Sequence, residues 1–381
     1  MSIKRLDRGV KRWEFDYTTP AGTRTRKRFA TKKEAEVFQS ETLQSIRRGS
    51  YVDPKMAEKT TVDALYKEWI ERIRQVGATG RKPATPKTVD NYRRAYENYI
   101  APRWGETSLS NVTYEGTSDW MTGLKGMDGK QAGARTRQLV GAIFGRILGY
   151  AVKKRILAQN PAKDALGGAD YIPEAKRLKK HTYLTMNQLI EIANHAGDYD
   201  LMVMMAGTCG LRWGEITALT ASHVRLGNRP TIDVARAYSE VSGQLILGQT
   251  KGGEARQVPI PHLIADRLAL AVHDKSPSER IFSSARGLPL RNSRFATTVY
   301  KPAISRAAQD DDDFPRPTWH DLRHTAVSLA ISAGANVKVV QRIAGHASAT
   351  LTLDTYAGLF DDDLHDSAAR LNASLQELGW S

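Results

Sequence analysis

The sequence predicts a multidomain chain: a small α/β domain, then an all-α domain, then a mainly α domain with a small β-sheet. Three observations support this fold class. Side chains alternate with period two around a Pro/Gly turn within residues 1–30, which predicts a three-stranded sheet followed by a helix. Apolar stripes with helical spacing fill residues 60–165. Beyond residue 183, further helical stripes flank short strand-like segments.

The predicted domain boundaries follow changes in composition, because 381 residues are too many for one ordinary domain. In chain order, they are a small α/β domain at 1–55, a helical domain at 60–165, a Gly-, Pro- and Lys-rich linker at 166–182, a third domain at 183–360 and a tail helix at 361–381. The tail has one leucine stripe, at Leu364, Leu371, Leu375 and Leu378. This stripe can pack onto its own chain or onto a neighbouring one.

The first domain begins with alternating residues 12–17 and 23–29, which predict a β-hairpin. Thr31 is then the expected N-cap of a helix that runs to about Arg48, with Glu34 at the capping-box position. Residues 49–61 are predicted to be a polar linker.

Four helices are predicted in the second domain, beginning near Thr61, Thr85 or Thr88, Tyr114 and Ala134. The aromatic side chains on the first two helices are expected to pack in the core; they are Trp69, Tyr92, Tyr96 and Tyr99.

In the third domain, Thr185 caps a predicted helix and a buried helix follows at 201–208. Strands are predicted at 231–241 and 244–250 around Ser242-Gly243, and a further one at 257–260.

Charge and cysteine content limit the class of protein. The net charge is +15, and residues 1–60 hold 15 Lys and Arg against 8 Asp and Glu, which indicates a polyanionic partner. Cys209 is the only cysteine, so a disulfide framework and a cysteine-based zinc site are excluded. The sequence has neither a secretory signal nor an apolar run of membrane-spanning length, so a cytoplasmic location is expected.

The segment from Thr318 to Tyr356 carries the chemistry. His320 and Arg323 are three residues apart and share one face of a predicted helix. Gly345-His346 follows a second helical run, and Tyr356 comes ten residues after His346. An arginine fork matches two phosphate oxygens, and a phenol needs a base or a cationic pocket to become a nucleophile. The set therefore suits attack by a tyrosine on a phosphodiester.

This pattern resembles the tyrosine recombinase family, which includes phage integrases. Gly210-Leu211-Arg212-Trp213-Gly214-Glu215 resembles the family's G-x-R-x-x-E box and supplies Arg212 with an acidic partner. The segment Thr250 to Arg256 resembles its T-K-x-x-x-x-R turn and supplies Lys251. The resemblance implies the tyrosine recombinase fold, with an arm-binding N-terminal module and a SAM-like core-binding helical domain. The implied catalytic residues are Arg212, Lys251, His320, Arg323, His346 and the nucleophile Tyr356.

The resemblance also implies an activity and partners. A site-specific recombinase of this kind cuts and rejoins double-stranded DNA through a 3′-phosphotyrosine and a Holliday junction, with neither a metal nor ATP. The expected assembly is a homotetramer on core-type and arm-type DNA sites, aided by a host DNA-bending factor and an excisionase-type factor.

Two other functions are compatible with parts of the pattern. A type IB topoisomerase shares the chemistry but relaxes supercoils without exchanging strands. A DNA-binding regulator without catalysis would explain the charge, but it would not need a tyrosine at position 356.

Overall fold

The computed structural model describes the chain apart from residues 1, 7–9, 21, 79, 81, 165, 166, 175–180, 251, 252, 254, 346, 347, 357–371, 373, 374 and 381. The chain divides into two compact units, residues 1–177 and 178–381. The finer domain boundaries drawn from the sequence stay predictions. Of the helices that the structure describes, none is long and apolar enough to cross a membrane.

The first unit begins with an antiparallel sheet in the order β1-β2-β3, which is the predicted three-stranded sheet. The strands are Ser2–Arg5 (β1), Trp13–Thr18 (β2) and Arg24–Phe29 (β3), and they are followed by helix α1, Lys32–Arg47. Thr31 caps α1 by accepting from the backbone N–H of Glu34, as its position predicts. One face of the sheet buries Phe15 and Tyr17 against Phe38 of α1.

The helical part of the first unit contains six α-helices in the described chain, with a π-helical segment, Tyr96–Ile100, joining α4 to α5. They are α2 Pro54–Lys59, α3 Val62–Val76, α4 Pro86–Ala95, α5 Ala101–Trp104, α6 Tyr114–Thr122 and α7 Ala134–Lys153. The polar linker predicted at 49–61 contains a short helix, α2, which the sequence analysis did not predict. Asp53 caps α2, Pro54 occupies its first turn, and Ala57 is buried in the helical core. Trp69, Tyr92 and Tyr96 are also buried in that core, as predicted.

The second unit is mainly helical. Its helices are α8 Met186–Asn194, α9 Asp200–Cys209, α10 Trp213–Ile216, α11 His262–Val272, α12 Asn292–Phe295, α13 Lys301–Ala307, α14 Trp319–Ser332, α15 Val337–Ala344 and α16 Ala349–Tyr356. Helix α14 packs along α9 at the centre of this unit. The face of α14 with Leu322 joins the main core, and the part with Val327 and Ile331 joins a smaller core beside α15 and α16.

Two small sheets lie in the second unit. Their strands are Val224–Arg225 (β4), Thr231–Val234 (β5), Arg236–Val241 (β6), Gln244–Gln249 (β7) and Arg256–Pro259 (β8). The predicted single strand over 231–241 was wrong, because it divides at Ala235: β5 pairs with β4 and β8, and β6 pairs only with β7. The β6–β7 turn uses Ser242 and Gly243, both at positive φ, which matches the twist of a two-residue hairpin.

Candidate active site

Helix α14 begins with a capping box that fixes its first turn. The backbone N–H of Thr318 donates to Oδ2 of Asp321 at 2.7 Å, and the hydroxyl of Thr318 donates to the same oxygen at 2.6 Å. His320 lies in this first turn, and Arg323 and His324 lie one turn further along. The helix therefore presents an arginine and two imidazoles from adjacent turns.

Arg323 connects α14 to the ends of two other helices by hydrogen bonds. Its Nη1 donates to the carbonyl of Gly210 at 2.7 Å, and its Nη2 donates to the carbonyl of Ala344. These carbonyls follow α9 and end α15, where the helix dipoles are negative. Arg323 is only 3% exposed, and burial, together with the charge of Arg212, lowers its pKa to about 9. The guanidinium therefore remains charged at neutral pH.

Glu215 lies between two arginines. Its Oε1 accepts from Arg212 Nη1 at 2.9 Å and from Arg256 Nη1 at 3.0 Å, and its Oε2 accepts from Arg256 Nη2 at 2.8 Å. The side chain is 1% exposed. Burial alone would raise the pKa of this carboxyl, but the hydrogen bonds and charges of Arg256 and Arg212 lower it to about 2.

Gly345 links this arginine pair to α15. Its carbonyl accepts from Nη2 of Arg212 at 3.2 Å, and its φ of +57° is in the left-handed region. A Cβ at this position would lie 2.9 Å from Nε of Arg256, so the close packing of that side chain requires glycine. The C-terminal end of α15 is thus held by Arg323 at one residue and by Arg212 at the next.

Replacement of Glu215 by glutamine is expected to destabilise the protein by about 3 kcal/mol at neutral pH, because two partly buried guanidinium groups lose their buried counter-charge. The folded pKa of Glu215 is depressed, so its contribution is full above about 4.5, the ordinary glutamate value, and is lost as the pH falls towards about 2. Urea unfolding of wild type and Glu215→Gln at neutral pH and near pH 3 measures this difference.

The stability gap between the two proteins should therefore shrink in acid. Glu279→Gln is the control, since Glu279 forms a surface pair with Lys275 and its loss should leave stability nearly unchanged. A gap for Glu215→Gln that is the same at both pH values would contradict the assignment of a charged carboxylate.

Tyr356 ends α16 and is 1% exposed. Its ring packs in the smaller core with Val327, Ile331 and Val340. The hydroxyl oxygen lies 2.6 Å from Nδ1 of His324. Burial raises the pKa of this hydroxyl to about 12, although the nearby Arg323 charge acts in the opposite direction. The phenol is therefore protonated and donates its hydrogen to His324.

His320 is exposed, and its ring stands edge-on to that of His324, with centroids 5.0 Å apart. Desolvation and the charge of Arg323 lower the pKa of His320. The imidazole is therefore mainly neutral at neutral pH, a form that can accept a proton.

Three side chains near Tyr356 have the composition of a metal site. His181, Asp321 and His324 offer ligand atoms that all lie within 4.8 Å of one another. However, the two imidazoles are stacked, with centroids 3.6 Å apart and planes at 26°, so their in-plane lone pairs do not converge on one ion. Asp321 is also engaged in capping α14. The geometry therefore indicates packing of His324 and not a preformed metal site.

The structure brings together four of the six predicted site residues: Arg212, His320, Arg323 and Tyr356. Lys251 and His346 lie outside the described residues. On either side of the segment 251–254, β7 ends at Gln249 and β8 begins at Arg256. His346 directly follows Gly345, which Arg212 contacts.

Two residues that the sequence did not single out take part in the site. Arg256 stands in the quoted T-K-x-x-x-x-R segment, but its bond to Glu215 spans 41 residues and appears only once β8 is placed beside α10. His324 bonds to Tyr356 across 32 residues. A local signal for His324 was present, since it is four residues from His320 and shares its helix face.

The arrangement suits an anionic phosphorus centre. Arg212, Arg256 and Arg323 carry three positive charges, and Glu215 neutralises one of them. The two positive charges that remain match the two negative charges of the pentacoordinate transition state, one from the phosphodiester and one from the attacking tyrosine oxygen. Arginine forks supply the paired donors that non-bridging phosphate oxygens accept.

Comparison with known proteins agrees with this chemistry. Residues 176–362 match the sequence profile of the phage integrase family. Tyrosine recombinase XerD of Corynebacterium glutamicum is 29% identical over 321 residues, which cover 79% of this chain and 95% of that protein. An integrase of Streptomyces ambofaciens is 25% identical over 357 residues, which cover 88% of this chain and 86% of that protein.

Solved structures show the same fold. The Tn1549 transposon integrase in complex with transposon right-end DNA superposes with a TM-score of 0.65 at 19% identity, covering 82% of this chain and all of that chain. A lambda integrase tetramer bound to a Holliday junction gives a TM-score of 0.54 at 18% identity, covering 91% of this chain and 96% of that chain.

Proposed function

This chain belongs to the phage integrase family of tyrosine recombinases, and we propose that it is a site-specific DNA recombinase that integrates and excises phage or mobile-element DNA. One observation carries the proposal. Arg212 and Arg323 hold consecutive carbonyls at the end of α15, and Tyr356 packs against the helix that bears Arg323. The phosphate-binding groups and the nucleophile thus belong to one packed unit.

In the proposed reaction, the hydroxyl oxygen of Tyr356 attacks the scissile phosphorus and the bond to the 5′-oxygen breaks. This leaves a 3′-phosphotyrosine and a free 5′-hydroxyl. Arg212 and Arg323 bind the non-bridging oxygens and offset the charge of the transition state. Their guanidinium groups have five N–H donors each, so donors remain beyond the bonds to Glu215 and the backbone carbonyls.

Three further residues are assigned roles in the reaction, two of them in proton transfer. Lys251 protonates the departing 5′-oxygen, and His320 accepts the proton of the tyrosine hydroxyl. His346 hydrogen-bonds the phosphate. The lowered pKa of His320 supports its role, because a base must be neutral before the reaction. The chemistry needs neither a metal nor ATP, since the phosphotyrosine conserves the energy of the broken bond.

The 5′-hydroxyl of a partner strand then attacks the phosphotyrosine, which gives a Holliday junction after the first exchange. We propose a tetramer that exchanges two strands at a time, an assembly seen in the lambda integrase neighbour. A host DNA-bending factor and an excisionase-type factor would set the direction of the reaction. The expected place of action is the bacterial cytoplasm, at the nucleoid.

The tail beyond the catalytic domain is proposed to couple neighbouring protomers. Leu364 and Leu371 of its predicted leucine stripe lie outside the described residues, and among the described ones Leu375, Leu378 and Trp380 are exposed. The second unit also has an apolar cavity of about 490 Å³ lined by residues that include Ile304 and Trp319. Apolar side chains that remain exposed on one copy would be covered by such a cavity on the next.

The N-terminal sheet is proposed to bind arm-type DNA sites. Arg24, Arg26 and Arg28 alternate along β3, and each side chain is more than half exposed. Asp16 and Glu14 pair with them and orient the guanidinium groups above the sheet. A strand that presents arginines at every second position can follow a DNA groove or its phosphates.

Triple replacement of Arg24, Arg26 and Arg28 by glutamine is expected to weaken arm-site binding and to leave core-site binding unchanged. Each lost phosphate contact should reduce the slope of log K against log salt by about 0.9, so the total reduction approaches about 3. Fluorescence anisotropy on separate arm and core duplexes measures both effects. Point changes are preferable to removal of residues 1–60, because α2 contributes Ala57 to the helical core.

The matched control replaces the same three arginines by lysine, which keeps the charge and removes the fork. It should retain most of the salt slope. Equal arm-site affinity of wild type and the glutamine variant would refute the arm-binding role.

The recombinase activity itself can be tested with a supercoiled plasmid that carries two attachment sites. The proposal predicts deletion or inversion products from the two-site plasmid. Relaxation of the plasmid without strand exchange would instead show a type IB topoisomerase. Binding without covalent complexes would show a DNA-binding regulator.

A further inference from the structure

The position of Tyr356 does not allow attack as it stands. Its hydroxyl is buried with the rest of the side chain, and it points at Nδ1 of His324 at 2.6 Å. A nucleophile needs open space on the far side of the oxygen, where the phosphorus must approach. Because the oxygen is buried, the phenol must become exposed before it can reach a phosphorus atom.

His324 is itself held firmly. Its ring is stacked on His181 with centroids 3.6 Å apart, and His320 meets it edge-on at 5.0 Å. The ring is 7% exposed, and its Nε2 has no hydrogen-bond partner among the residues that the structure describes. Among the described residues, the imidazole of His324 therefore makes its hydrogen bond through Nδ1, to the hydroxyl of Tyr356.

The protonation of the pair is fixed by its surroundings. Burial and the neighbouring His181 and His320 lower the pKa of His324 to about 3. The imidazole is thus neutral, with its hydrogen on Nε2 and its lone pair on Nδ1. Tyr356 is protonated and donates. A neutral hydrogen bond between two buried groups is costly to break, because the buried Nδ1 of His324 would lose the hydrogen bond that it accepts from Tyr356.

From this geometry we propose that His324 is a positioning residue that holds the hydroxyl of Tyr356 away from DNA until the nucleophile is released for cleavage. This inference rests on the proposed function only in naming Tyr356 as the nucleophile. It assigns His324 a task that differs from that of His320, one turn earlier. His320 accepts the proton during attack, whereas His324 accepts the hydrogen bond of the resting hydroxyl.

Two substitutions separate the hydrogen bond from the packing. His324→Phe keeps a ring of similar size for stacking on His181 and removes the acceptor. His324→Asn places an amide oxygen near the position of Nδ1 and can still accept from the phenol. The full-length protein without DNA is treated with tetranitromethane, and nitration of Tyr356 is followed by peptide mass spectrometry.

Tyr356 nitration should be about tenfold faster in His324→Phe than in wild type, the change expected from loss of one buried hydrogen bond. In His324→Asn it should remain within about twofold of wild type. Tyr300, which is 2% exposed elsewhere in the same unit, reports any general opening of the fold. The nitration rate of Tyr356 is therefore compared with that of Tyr300 in each variant, and a parallel rise of both in His324→Phe counts against the assignment.

Unchanged nitration in His324→Phe, or an equally large rise in both variants, would overturn the assignment. The assay uses no DNA, so its result is independent of whether Tyr356 is the nucleophile. A failure of the proposed recombinase activity would appear separately, as absence of covalent protein–DNA complexes in wild type.

Discussion

Tyr356→Phe is expected to bind DNA with wild-type affinity and to form no covalent protein–DNA complex. The substitution removes only the attacking oxygen, so cleavage should fall by at least about a thousandfold. The phenyl ring fits the same buried position among Val327, Ile331 and Val340, so the fold should be retained. A nicked suicide substrate followed on a denaturing gel measures the complex, and anisotropy measures binding.

Tyr183→Phe is the matched control, because Tyr183 packs against the same small core and has no assigned role in the reaction. It should form the covalent complex at the wild-type rate. Covalent complex formed by Tyr356→Phe would exclude Tyr356 as the nucleophile.

Arg323→Lys should reduce cleavage by about a hundredfold to a thousandfold, while DNA binding changes by less than about tenfold. Lysine keeps the charge but cannot bond to the carbonyls of Gly210 and Ala344 and also present a fork to phosphate. The ends of α9 and α15 would lose their shared partner, which costs about 1–3 kcal/mol of stability. Single-turnover cleavage and urea unfolding measure the two effects.

The control for this change is Arg225→Lys, which makes the same substitution in an exposed pair with Asp233. Both its cleavage rate and its stability should remain near wild type. A wild-type cleavage rate in Arg323→Lys would show that Arg323 is a structural cation and does not act on the phosphate.

Much of the site could be predicted because its residues lie in short local motifs. Arg212 and Glu215 are three residues apart, and their hydrogen bond needs only the first turn of α10. His320 and Arg323 likewise share a helix that Thr318 and Asp321 cap. In each case, local spacing determines the geometry before any tertiary contact forms.

The parts that were missed depend on contacts between distant segments. Arg256 reaches Glu215 only because β8 is brought beside α10, and His324 reaches Tyr356 only because α16 returns to α14. The spacing of residues within one segment cannot predict a contact with a distant segment. The burial of Tyr356 also could not be predicted from the sequence, because it results from the packing of α14, α15 and α16.

Two errors in the predicted fold have physical explanations. Helix α2 was overlooked although Asp53-Pro54 carries the N-cap and first-turn signals of a helix. Its shortness makes such a helix dependent on tertiary burial, here through Ala57. The break at Ala235 within the expected strand separates two sheets, and an unbroken alternation of side chains cannot reveal a change of partner strand.

The role of Tyr356 as the nucleophile is tested by identifying the residue that becomes attached to DNA. Wild-type protein is trapped on a nicked duplex, digested with protease and nuclease, and mapped by tandem mass spectrometry. We expect a nucleotide joined through its 3′-phosphate to the oxygen of Tyr356. Attachment to any other residue, or attachment through a 5′-phosphate, would contradict it.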